Sequence, residues 1–183
     1  MNFYLIADTH FKHDKMKTYC QRPSNFTELI IKNWANTVKP EDCVIHLGDV
    51  AIGGVADWEW ILPTLPGRKG LIRGNHDRQR SLGWWMTHGF DFACDGMMFR
   101  NWWLSHEPAN SRPGGCEGNI HGHLHNIWHG FAPNAGDEKD AQHLRRLKNP
   151  WQRLFAVEYT NYMPVEFDKF VSHPDKYQSR GPA

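Results

Sequence analysis

Apolar residues fall along the chain in short runs, and each run stops on a polar cluster. The first, NFYLIAD over 2–8, has the length and aromatic or branched content of a strand and predicts a buried strand ending on Asp8. NFTELIIKNWANTV over 25–38 opens on Asn25 as N-cap, with Glu28 three residues later in a capping-box spacing. It carries Phe26, Ile30, Trp34 and Val38 at helical intervals, which predicts a helix packed on the sheet. CVIHL over 43–47 is a second strand-like run ending in Gly48-Asp49. KGLIR over 69–73 is a third, ending in Gly74-Asn75-His76-Asp77. Between them ADWEWIL predicts a short helix stopped near Pro63. Strand, helix, strand, helix, strand implies parallel pairing through right-handed crossovers.

After Asp91 the pattern becomes mainly β: FDFAC, MMFRN, WWLSH and GNIHG, then LFAVEY and PVEF near the end. Residues 126–150, with Gly130, Pro133, Gly136 and a polar helical stretch, predict a surface insertion. The polar tail DKYQSRGPA is expected to fray. There is no internal repeat and no linker, so 1–183 is expected to be a single domain.

Composition narrows the partners more than it narrows the chemistry. A chain of 183 residues, 40% apolar and 22% charged, can bury one substantial core, and a formal charge of +1 supplies no global field toward nucleic acid or membrane. Long nucleic acid and membrane are therefore not expected partners. The N-terminal MNFYLIADTH has no basic leader and reaches Asp8 too soon for a signal peptide or span. Cys20, Cys43, Cys94 and Cys116 are scattered without a CxxC pair, which suits reduced packing thiols in a cytoplasm. Twelve histidines make position the decisive question.

The polar clusters answer it. Asp8-Thr9-His10, Gly48-Asp49, Gly74-Asn75-His76-Asp77, His106 in LSHEP, and Gly122-His123-Leu124-His125 all follow strand-like runs, where open α/β sheets place their ligand crevice. Carboxylates, imidazoles and an amide oxygen are donors that borderline divalent metals prefer, and they are too many for one tetrahedral ion. The count points to two metals. Two cations held about 3.5–4 Å apart need a bridging anion, for which Asp49 on a tight glycine turn is the natural candidate.

These five blocks, in this order over residues 8–125, resemble the calcineurin-like metallophosphoesterase superfamily. The ending FAVEYTNYMPVEFD is also similar to the closing strands of small bacterial and phage members whose first motif reads DTHF. The resemblance implies a four-layer α/β/β/α sandwich with a dinuclear site at the C-terminal strand ends. It implies that Asp8, His10, Asp49 and His125 hold one metal and Asp49, Asn75, His106 and His123 the other. His76 would be the catalytic histidine that stays off the metals, while His121 matches no ligand position and is expected to be structural. Asp77 is placed to orient His76 and Arg78 to bind phosphate. His13, three residues beyond His10, reads either as a phosphate contact or as a solvated loop histidine. Mn, Fe, Zn, Co and Ni all suit the donor set.

After Gly48-Asp49 the chain reads Val50-Ala51-Ile52-Gly53-Gly54, without the Asp and Arg of the GDxVDRG motif of Ser/Thr protein phosphatases. The expected activity is therefore phosphodiester hydrolysis on a small or nucleotide-like substrate, by direct attack of a metal-bridging hydroxide. A phosphomonoesterase is the alternative within enzymes, and a metal-holding interaction scaffold the alternative outside them. The Trp pairs 84–85 and 102–103 are expected to pack in cores rather than stack bases. Arg145, Arg146 and Lys148, followed by Trp151, read either as a phosphate-gripping patch or as a solvated helix face.

Overall fold

In a computed structural model, which describes residues 1–126 and 149–177, the short apolar runs become two sheets. β1 (Phe3–Ile6), β2 (Cys43–His46), β3 (Arg68–Ile72) and β4 (Phe92–Cys94) pair in parallel, and β9 (Val165–Glu166) adds antiparallel to β1, in the order β4-β3-β2-β1-β9. β5 (Met97–Phe99), β6 (Trp102–Ser105), β7 (Gly118–His121) and β8 (Gln152–Leu154) form the second sheet, in that order. One apolar core serves both, joining Leu5, Ile6, Val44, Ile45 and Leu71 to Trp102, Leu104 and Ile120. The central strands are buried on both faces, which is why they read as unbroken apolar runs rather than as alternation.

Seven helices are described: α1 (Met16–Tyr19), α2 (Phe26–Thr37), α3 (Val55–Trp58), α4 (Ile61–Thr64), α5 (Leu82–Thr87), α6 (Phe167–Ser172) and α7 (Pro174–Tyr177). This α/β architecture is the fold class that the motifs imply. Among the described residues no helix is long and apolar enough to cross a membrane. All four cysteines are unpaired thiols.

Several local expectations are corrected. Asn25 does stand at the N-cap of α2, yet its side chain caps no N–H, and Glu28 turns outward to Lys12 Nζ at 3.0 Å. The single helix expected before Pro63 is two short ones, and Pro63 lies inside α4, within the first turn where a missing N–H removes no helical bond. LFAVEY is not one strand: β8 stops at Leu154, and Val157–Thr160 form a 3₁₀ turn. PVEF contributes only a two-residue strand before α6 begins, and Asp175, Lys176 and Tyr177, the first residues of the tail expected to fray, belong to α7, while 178–183 lie outside the described residues. Nearly all of the expected insertion, 127–148, lies outside the described residues, as do Arg145, Arg146 and Lys148. The tryptophan pairs do pack: Trp85 and Trp102 are buried, and Trp84 lies against Trp58.

At the end of β2, His46 is fully buried and ties two loops together. Its Nδ1 accepts the Gly48 N–H at 3.1 Å, so the ring proton sits on Nε2 and points at Thr9 Oγ1, 2.9 Å away. Thr9 in turn donates to the Val50 carbonyl at 2.8 Å. Burial, only partly offset by the Asp49 carboxylate, pushes the His46 ring down to about 3. The unfolded chain, with an ordinary imidazole near ~6.5, takes up a proton that the folded chain refuses. Stability from this group is therefore complete above about pH 6.5 and falls by about 1.4 kcal/mol per pH unit on acidification toward pH 3. In urea unfolding of the metal-stripped protein between pH 7 and pH 5, His46→Gln should flatten the pH dependence by one proton. Parallel profiles for wild type and variant would assign the slope elsewhere.

Candidate metal centre

The site lies where β1, β2, β3, β6 and β7 end and the chain hooks back. Past β1, residues 8–11 run on beside 48–50: the amides of Asp8, His10 and Phe11 donate to the carbonyls of Gly48, Asp49 and Val50 at 2.9, 3.1 and 2.9 Å. The hooks are sharp enough that Asp8, His10, Asp49, His123 and His125 all have positive φ, between 45° and 73°. Few residues other than glycine adopt that conformation, and its concentration here is how side chains from successive positions reach one point. It also resolves the spacing of His121, His123 and His125. Strict alternation would put all three on one face, but β7 ends at His121, and the left-handed residues after Gly122 turn the next two histidines into the site. His121 stays buried behind, its Nδ1 facing the Gly122 carbonyl at 2.9 Å.

Two close approaches admit only glycine. A Cβ on Gly48, at φ +96°, would lie 2.5 Å from the Gly74 nitrogen and 2.6 Å from His106 Nδ1. A Cβ on Gly122 would lie 2.4 Å from Asp8 Oδ2, the oxygen that accepts the His123 amide at 2.9 Å.

The donors gather in two groups that share Asp49. Asp8, His10 and His125 bring ligand atoms within 4.8 Å of one another, and Asp49, His106 and His123 do the same. Asp49 Oδ2 stands between them, 3.6 Å from His10 Nε2 and 3.4 Å from His106 Nε2. Asn75 Oδ1 joins the second group, 3.0 Å from His106 Nε2, which also faces His123 Nδ1 at 3.1 Å. His106 Nδ1 lies 2.8 Å from the Leu47 carbonyl, which can only accept, so Nδ1 carries the ring proton. Whenever that ring is neutral, as an ion's ligand must be, it turns an Nε2 lone pair toward an amide oxygen, a carboxylate and a second imidazole. Lone pairs so arranged repel unless a cation sits among them. Asp8 Oδ1 and both ring nitrogens of His10 are buried without a hydrogen-bond partner, which fits the same demand.

Electrostatics agree. Burial would lower His106, but the adjacent Asp49 and then Asp8 lift it to about 9; burial would likewise lower His125, yet Asp8 and Glu158 hold it well above the ordinary range. Burial raises Asp8 to about 6, and Asp49 is driven far down by His106 and the other rings against its own burial. The acidic centre calls for positive charge, and protons take that role where no divalent ion is bound.

His76 stands at the mouth with 42% of its side chain exposed, its Nε2 3.9 Å from Asp49 Oδ2 and its ring 5.7 Å from that of His10. His13 is half-buried beside His10, with ring centroids 5.5 Å apart. Arg78 is exposed and pairs with Glu107 at 3.3 Å. Asp77 does not orient the His76 ring. Its buried carboxylate accepts three backbone N–H groups, from Asp49 at 2.7 Å, Gly74 at 2.8 Å and Val50 at 3.0 Å. Adjacent residues of a tight turn point apart, so Asp77 faces into the loops while His76 faces out.

Three contributors were not expected from sequence. Arg22 is buried and donates to the carbonyls of Asp8 at 2.7 Å and Thr9 at 2.9 Å. Glu158 pairs with Arg22 at 2.7 Å and stands 3.5 Å from His125 Nδ1. Cys20 completes, with His125 and Glu158, a third group at metal-ligand spacing, but the Arg22 guanidinium already supplies its cation. The signal available in sequence was a charge inside an apolar run, Glu158 in FAVEY, since a buried charge requires a partner.

Replacing Asp77 by Asn would set a donor against backbone donors. Asp77→Asn should lower the unfolding free energy of the metal-stripped protein by about 1–3 kcal/mol, read by chemical denaturation. An orienter of the exposed His76 ring would leave that value unchanged.

Known proteins resemble this chain over most of its length. The family model for calcineurin-like phosphoesterases matches residues 1–177. The uncharacterized protein MJ1445 of Methanocaldococcus jannaschii is 33% identical over 184 residues, covering 94% of this chain and 91% of its own. A crystal structure of AQ665 from Aquifex aeolicus, a protein of unknown function, superposes with a TM-score of 0.67 at 24% identity, covering 93% of this chain and 98% of that one, and so shares the fold. With the two donor groups flanking Asp49 and a family match over nearly the whole chain, this protein belongs to the calcineurin-like phosphoesterase family.

Proposed function

We propose that the protein is a dinuclear-metal-dependent phosphoester hydrolase that prefers diesters, acting on a small or nucleotide-like substrate. The observation that carries the reading is the set of lone pairs converging from both sides on Asp49, which two divalent cations would satisfy and one would not. Asp8, His10, Asp49 and His125 would hold one ion, and Asp49, Asn75, His106 and His123 the other. When bound, such a pair supplies an activated water and a sink for charge on the phosphoryl oxygens.

The rest falls to side chains at the mouth. His76, fixed by its own amide on Asp49 Oδ1 at 3.0 Å, is placed to steady a phosphoryl oxygen or donate a proton to the leaving oxygen. His13, beside the His10 ring, is placed to add a contact to the ester. Arg78, exposed nearby with one nitrogen on Glu107, is placed to add a further contact. Support for the diester comes from this charge distribution. A monoester dianion brings one more negative charge than a diester, yet among the described residues the two guanidiniums near the centre each face a carboxylate, Arg22 that of Glu158 and Arg78 that of Glu107. Mn²⁺ is the ion to try first, and a cytoplasmic setting with small-molecule partners completes the reading.

The test uses metal-stripped protein restored with Mn²⁺, assayed on bis-p-nitrophenyl phosphate and p-nitrophenyl phosphate. Diester turnover should exceed monoester turnover. His76→Ala should reduce kcat by about 10²–10⁴-fold with metal uptake intact, whereas Asp49→Asn should lose both uptake and turnover. Faster monoester cleavage would favour a phosphomonoesterase. Metal uptake with neither ester cleaved would favour a scaffold.

A further inference from the structure

We propose that the buried Arg22 and Glu158 pair is a positioning unit for one half of the metal centre, that of Asp8, His10 and His125, and sets the affinity of that half apart from the other. The inference rests on the reading that the centre holds two cations. Arg22 acts on the main chain: its two terminal nitrogens take the carbonyls of Asp8 and Thr9, fixing the left-handed hook at Asp8. Glu158 acts on His125. Its Oε1 lies 3.5 Å from Nδ1, while Nε2 of the same ring lies 3.8 Å from Asp8 Oδ1, on the metal side. A carboxylate at Nδ1 keeps the ring proton there and leaves the Nε2 lone pair for an ion.

Arg22 opposes that arrangement. One of its nitrogens is also 3.5 Å from His125 Nδ1, and a guanidinium can only donate. Without Glu158, Arg22 would take the Nδ1 lone pair and force the ring proton onto Nε2, where it blocks the ion. Glu158 therefore does two things with one oxygen: it neutralises Arg22 at 2.7 Å and decides the tautomer of His125. The other half depends on neither residue, because the corresponding proton of His106 is held by the Leu47 carbonyl. The two ions are thus supported by different chemistry, one by a charged side-chain pair and the other by main chain.

Titration calorimetry with Mn²⁺ alone on metal-stripped protein, with ¹⁵N NMR of the metal-free histidine rings recorded above the pH at which His125 loses its second proton, tests this. Wild type should take up two equivalents. Glu158→Met should keep one at wild-type affinity and weaken the other about 10–100-fold, with the His125 proton moved to Nε2. Glu158→Gln, which retains an acceptor, should recover part of the loss. Adding Glu158→Met to His125→Ala should cost nothing further, since the effect runs through that ring. If Glu158→Met fails to fold around an uncompensated Arg22, Arg22→Gln/Glu158→Met removes both charges and should show the same one-site loss. Fewer than two equivalents on wild type overturns the two-cation reading and the inference with it. Two on wild type, with both undiminished or both equally weakened in the folded variant, overturns the inference alone.

Discussion

Two chain reversals, Gly48–Val50 and Gly74–Asp77, meet over one carboxylate, and the centre depends on how that group is held. Asp77 is almost wholly buried and accepts amides from both reversals. Its own carbonyl receives the Trp85 indole N–H at 3.0 Å, and Trp85 stacks on Trp58 in the core. Burial, with Asp49 nearby, still pushes the Asp77 carboxyl up despite three N–H donors, so the clamp works against its own dehydration. Asp49, Asn75 and His76 take their positions from it, and the tryptophans that hold it are core residues with no part in the chemistry.

Strain and unsatisfied polarity collect in the same place. Five left-handed residues among seven candidate ligands, and buried acceptors on Asp8 and His10 without donors, would each be expected to cost on the order of 1–3 kcal/mol. Sheets buried on both faces, sharing one continuous core, supply the stability against which such costs can be tolerated. An ion among the lone pairs removes part of the penalty, so bound metal and fold stabilise each other.

Much of this was legible in the residues. Strands that end on Asp8, Asp49 and Asn75 were visible as apolar runs stopping on polar clusters, because strands buried on both faces cannot alternate. The donor set was visible because metal ligands must be particular residue types, and its division into two groups is what the family resemblance implied. What escaped was the support. Asp77 follows His76 in sequence, and adjacency reads naturally as partnership, whereas the turn sends the two side chains opposite ways. Arg22 and Glu158 are 136 positions apart, and no periodicity links them. Glu158 also sat in a stretch that reads as strand, since a 3₁₀ turn of four residues has too short a pattern to be told from one.

The support differs between the two halves of the centre, and the difference has a physical origin. His106 sits at the end of β6, one residue past a strand flanked by others, so a main-chain carbonyl from the β2 end is within reach of its inner nitrogen. His125 lies past β7 on a hook with no strand beside it among the described residues, where the polar groups near its inner nitrogen come from a distant loop and a 3₁₀ turn. A carbonyl is neutral and can be buried alone, whereas a carboxylate in that position must be neutralised, which brings in Arg22. The guanidinium then reaches the carbonyls of Asp8 and Thr9 with its remaining donors, so the residue needed to make Glu158 tolerable also holds the first ligand hook in place. An ion-pair network grows from a single missing backbone partner, and it couples the N-terminal loop to the C-terminal turn through one histidine.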